Sequence, residues 1–201
     1  MFELGNVSVK MGAYEESYDF HFESLKIREN LYASDHPDLA YSLLAFADSC
    51  DKEAMFDKAL EYNLRAYEMR KNLYRNVQSL TLSWTVFASN SFRKMNKSKK
   101  PKTENEESND ELLILNEHLN PILADSVRAV GFSYFRLGQS DMAFRNFNLA
   151  LKIRQNLFIK SNLEINDLIE SYVDMAKYHA MMGDDNKFLE FNSLIESLVE
   201  D

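Results

Sequence analysis

Glycine and proline are scarce in this chain of 201 residues, five and three in all. A sandwich or barrel of short strands needs turn residues about every ten positions, and that punctuation is missing. Helix is the architecture left. A single cysteine, Cys50, excludes an intrachain disulfide and an all-cysteine metal site. No run approaches the roughly 18 apolar residues of a membrane span. The start, Met1-Phe2-Glu3-Leu4-Gly5, has neither the basic opening nor the apolar core of a signal peptide. These absences set the expected compartment as cytoplasmic, without membrane partners. Basic excess is lacking too: the formal charge is −9 and the sequence pI about 5.0, so a phosphate-backbone binder is not expected.

Catalytic signatures are equally absent. The four histidines, His21, His36, His118 and His179, share no metal-type spacing with one another or with Cys50. There is no glycine-rich phosphate loop, nucleophile elbow or Ser/Cys–His pairing. The many carboxylates follow helix surfaces, where a solvated face explains them. No catalytic, cofactor-binding or metal residue is expected, and the chain is not expected to be an enzyme.

What the chain does have is hydrophobic content, 45%, and a repeat. Ser24-Leu25-Lys26-Ile27-Arg28-Glu29-Asn30-Leu31-Tyr32 returns as Ala66-Tyr67-Glu68-Met69-Arg70-Lys71-Asn72-Leu73-Tyr74. It returns again as Ala150-Leu151-Lys152-Ile153-Arg154-Gln155-Asn156-Leu157-Phe158. The arginines at 28, 70 and 154 are spaced by 42 and by twice 42, so the period survives the irregular stretch between the last two copies. Small residues fall in the same register: Gly12, Ala54 and Gly138 at one position; Gly5, Ala47, Ser89 and Gly131 at another. Ala59 matches Ala143, and Ala66 matches Ala150. Small residues at fixed places let two helices approach closely, and apolar residues at three- and four-residue spacing between them mark amphipathic helices.

The pattern Gly12-Ala13-Tyr14-Glu15-Glu16-Ser17 resembles the turn and second helix of a tetratricopeptide repeat. The 42-residue period, with Leu25-Lys26-Ile27-Arg28 closing the second helix and Ser34-Asp35-His36-Pro37-Asp38-Leu39-Ala40 after it, is similar to the kinesin light chain and nephrocystin type. The resemblance covers nearly the whole chain. It implies an all-α solenoid, a right-handed superhelix of helical hairpins, and a protein-interaction scaffold that takes a peptide or protein partner in its concave groove. The nephrocystin likeness implies an alternative, a regulatory fragment of a larger protein whose enzyme or NTPase lies elsewhere.

Five helix pairs follow: 1–11 with 14–31, 38–51 with 55–74, a third beginning at 77–95, 121–137 with 140–158, and 165–182 with 184–199. Pro37 and Pro121 stand where first helices should begin, with Asn120 a suitable N-cap. Leu4-Gly5 matches the middle of a first helix, so the first repeat reads as truncated. Repeats are expected over 1–95 and 111–201. Between them, over 96–110, the basic run Arg93, Lys94, Lys97, Lys99, Lys100, Lys102 gives way to Glu104, Glu106, Glu107, Asp110 and Glu111, with Pro101 inside. So little apolar surface predicts a disordered charged loop, with a short patching helix over 111–119. The basic run suits either a solvated loop whose halves screen each other or a nuclear-localisation or acidic-partner motif.

First helices line the concave face of such arrays, so the resemblance implies partner-binding positions. These are Tyr41 and Leu44 from the second pair, Asn90 and Arg93 from the third, Arg128, Phe132 and Arg136 from the fourth, and Lys177 from the fifth. Asp48, Val86 and Val173 share that face. A basic, partly aromatic groove centre of this kind would hold an acidic peptide with an apolar anchor. Kinesin light chain repeats carry an asparagine pair in the first helix that grips the peptide main chain. The matching places here are Leu44-Ala45, Arg128-Ala129 and Val173-Asp174.

Overall fold

A computed structural model describes residues 1–93, 121–161 and 165–200, with the backbone alone for 74, 76–93, 160–161 and 200. The described residues form eight α-helices and no strand: α1 (Phe2–Met11), α2 (Tyr14–Leu31), α3 (Pro37–Lys52), α4 (Phe56–Arg93), α5 (Pro121–Arg136), α6 (Ser140–Ser161), α7 (Ile165–Met181) and α8 (Asp185–Glu200). Successive helices pair as antiparallel hairpins, and each hairpin packs on the next, which is an α-solenoid.

The sequence chemistry sets the helix limits. Pro37 occupies the first turn of α3, where its missing N–H costs nothing, and His36 caps it, its Nδ1 accepting from the Asp38 amide at 3.1 Å. Pro121 opens α5 in the same way. The hairpin turns are left-handed at Gly12 (φ 76°), Gly138 (φ 71°) and Gly183 (φ 73°), while Ala54 takes φ 58° despite its Cβ. Gly5 serves a different end: a Cβ there would lie 2.3 Å from the His21 ring, so α1 can reach α2 this closely only with glycine.

Hydrophobic clusters run the length of the stack. Leu25, Leu39, Leu43, Phe46 and Cys50 fill the first, joining α2, α3 and α4. Ala124, Val127, Ala150 and Ile153 fill the middle one, with Tyr67 of α4 packed against it. Phe147, Leu151, Leu168, Tyr172 and Tyr178 fill the third.

Nearly all the expected hairpin limits match to within three residues. The exception is α4, which runs unbroken from Phe56 to Arg93, where the repeat expects a break near residue 75. The register explains this. The positions matching Asp35-His36-Pro37 are Val77-Gln78-Ser79, with no proline to stop the helix. The expected loop 96–110, the helix 111–119 and the cap Asn120 lie outside the described residues.

Candidate functional site

Each hairpin meets the next through the same two rungs of side chains. In the first rung, an arginine of the second helix reaches the start of the following first helix. Arg28 Nη1 donates to the Asp38 carbonyl at 2.9 Å and the Ser42 hydroxyl at 2.6 Å. Arg70 Nη1 donates to the Ile122 carbonyl at 2.9 Å and Ser126 at 2.7 Å. Arg154 Nη1 donates to the Asp167 carbonyl at 2.7 Å and Ser171 at 3.0 Å. These are the repeat's three register arginines. Arg70 and Arg154 are buried; Arg154, 2% exposed, also donates to Asp125 at 2.7 Å. Sequence reading placed them at the helix end and missed their role. The signal was a cation at fixed register inside an otherwise apolar stripe.

The second rung lies two turns earlier. His21 Nε2–H donates to Asn6 Oδ1 (3.2 Å), which leaves Nδ1 to accept from the Ser49 hydroxyl at 2.7 Å. Burial pulls the His21 pKa below its ordinary 6.5, against the raising effect of the Asp48 carboxylate. At the next junction Asn63 Nδ2 donates to Ser133 at 2.9 Å. At the third, Phe147 meets Tyr178 edge-on, ring centroids 6.4 Å apart.

The first helices α3 and α5 stand side by side and enclose a cleft of about 360 Å³, with the Asn63–Ser133 rung in its wall. Leu44, Ala47, Ala129 and Phe132 give it an apolar floor; Asp48, Asp51, Lys52, Asp125, Arg128 and Arg136 ring it with charge. Four of the expected positions, Leu44, Arg128, Phe132 and Arg136, therefore come together. Tyr41 sits outside the cleft, its ring 4.9 Å from the Arg70 guanidinium, and Lys177 is exposed on α7 away from it. The side chains of Val86, Asn90 and Arg93 lie outside the described residues.

The cleft is balanced in charge rather than basic. Lys52 pairs with Asp48 at 3.9 Å and Arg136 with Asp51 at 3.4 Å. Arg128 stacks over Phe132 at 5.1 Å and points its fork into α7, bonding both oxygens of buried Asp174, with Glu170 3.4 Å away. Burial alone would lower the Arg128 pKa, and the Asp174 bond with the surrounding carboxylates outweighs it and raises the value. Inferring a basic groove from first-helix positions left out Asp51, Asp125 and Asp174, which lie one turn or one helix away. None of the described residues forms a His/Cys/Asp/Glu group suited to a metal, and no described helix is long and apolar enough to cross a membrane.

Antiparallel hairpins stacked through repeating rungs, with a cleft along the first helices, define a helical-repeat protein. Residues 1–72 match the tetratricopeptide repeat family, and the arginine-to-serine rung recurs beyond that match at Ser126 and Ser171. Among solved structures it is similar to BtubC (BKLC) from P. vanneervenii, at 18% identity over 98% of this chain and 77% of that one, with a TM-score of 0.40. It is also similar to a putative kinesin light chain from Podosopora anserina with nearly identical TPR-like repeats. There the identity is 13% over 98% of this chain and 92% of that one, with a TM-score of 0.41. No curated protein matches the sequence.

Proposed function

We propose that this chain is a non-enzymatic scaffold that holds a peptide segment of a protein partner in the cleft between α3 and α5. The observation that carries the reading is the floor of Leu44, Ala129 and Phe132 beside a replaceable ion pair. Arg136 is half exposed and held by Asp51 at 3.4 Å. A surface pair of that kind is worth about 0–1 kcal/mol, so a partner carboxylate can take the arginine over at little cost. The partner is then an acidic peptide whose apolar side chain rests on Phe132. Arg128 is not part of this exchange, because Asp174 already saturates its fork.

The test is fluorescence anisotropy with acidic peptides that carry one Leu or Phe anchor. Arg136→Glu should weaken binding about tenfold, a change of about 1.4 kcal/mol, and more so at low salt. Changing exposed Arg145 and Lys152 of α6 to Glu should do little. Equal loss in both variants, or indifference to Arg136→Glu, refutes the acidic-peptide reading.

A further inference from the structure

We infer that the stack skips one period of the sequence: α4 runs on to Arg93 without a hairpin turn, and α5 takes the place against α4 that the sequence register assigns to 77–95. The rungs measure the displacement. Arg28 and Ser42 are 14 residues apart, Arg70 and Ser126 are 56, and the difference is 42, one period. The second rung repeats the result independently, with 28 residues between His21 and Ser49 and 70 between Asn63 and Ser133. The junction that closes over the gap is complete. Both rungs form, and Tyr67 of α4 packs on the core shared by α5 and α6.

Residue chemistry says why α5 wins that place. A first helix must offer the arginine a hydroxyl, as Ser42, Ser126 and Ser171 do. The skipped segment has Trp84 at that position, and an indole has no oxygen to accept from Arg70. It also lacks the proline that would end α4 and start a new helix, so α4 continues to Arg93, a length of about 57 Å at 1.5 Å per residue. Removing 77–118 would leave Tyr74-Arg75-Asn76-Leu119-Asn120-Pro121, which copies the connection Tyr32-Ala33-Ser34-Asp35-His36-Pro37 residue for residue in length, with proline at its end. The cleft between α3 and α5 follows from this skip, whatever occupies it, because among the described residues these two helices meet directly.

Two measurements test the inference. In a Cys50→Ala background, Asn63→Cys with Ser133→Cys should be bridged by a short bifunctional methanethiosulfonate reagent in the full chain, since the two native side chains meet at 2.9 Å. Failure to cross-link overturns the α4–α5 junction. The chain shortened by 77–118 should cross-link to the same extent and unfold in one cooperative transition within a few degrees of the full chain. A second version keeping 115–118 relaxes the connector. If neither shortened chain unfolds cooperatively, the segment belongs to the stack and the inference is wrong.

Discussion

The α4–α5 and α6–α7 junctions share one rung and differ in the other. Both fix a buried arginine to a serine and to the carbonyl four residues before it. The companion rung is polar in one, Asn63 to Ser133, and aromatic in the other, Phe147 against Tyr178. The arginine rung is tied to the backbone of the next helix, so its geometry sets how hairpins meet. The companion rung rests mainly on side-chain contacts, with one long bond from Asn63 to the Ala129 carbonyl at 3.4 Å, so a pair of matching volume and polarity serves. One rung fixes the register, and the other is free to vary.

That division predicts a graded set of losses. Phe147→Ala removes a side chain that touches Phe132, Phe135 and Tyr178, and should cost about 4 kcal/mol. Asn63→Ala should cost about 1–2 kcal/mol, because Ser133 can still bond the Ala129 carbonyl of its own helix. Urea unfolding of the two variants compares them directly, and equal losses would mean that polarity in this rung matters more than volume.

The arginine rung is expected to vary with burial alone. Arg154→Ala empties a fully buried site and takes the donor from the Asp167 carbonyl and the buried Ser171 hydroxyl, and should cost about 3 kcal/mol. Arg28→Ala, at a rung whose arginine is only half-buried, should cost about 1 kcal/mol. Thermal melts would show the gap as several degrees, since about 1 kcal/mol moves the midpoint by about 2–4 °C at this size. Identical shifts would break the ranking.

The smallest effect concerns pH. Burial lowers the folded-state pKa of His21, so the unfolded chain binds its proton first as pH falls. The stability is complete above the ordinary value of 6.5 and is lost as pH falls from there through the lowered folded-state value. The slope has a ceiling of about 1.4 kcal/mol per pH unit for one proton. His21→Asn, which copies the next junction's residue, should flatten the melting-temperature profile between pH 7 and 5. A profile as steep as the parent's would show that His21 does not set it.

Much of this was legible in the amino-acid order. The period located the hairpins because small residues and prolines punctuate it at fixed places, and Gly12, Pro37, Pro121 and Gly138 all stand at the turns or helix starts expected of them. Four groove positions came out together for the same reason. The displacement of a repeat was not read, although Trp84 in place of serine was its trace. Periodicity reports what each segment resembles, whereas the stack is decided by which segment can satisfy Arg70. The fate of Arg128 was equally hidden, since Asp174 lies 46 residues away on another helix and meets it only through the fold.

Cys50 carries a last consequence. It is the chain's one cysteine, sits fully buried on α3 in the first core cluster, and burial pushes its thiol up to about 11. Only a thiolate in contact with water reacts quickly with a labelling reagent, and the folded stack denies it both conditions at neutral pH. The unmodified protein therefore contains a clock. The labelling rate of this thiol times the opening of α3 from its neighbours, and a peptide seated in the adjoining cleft should slow that clock in proportion to the grip it adds.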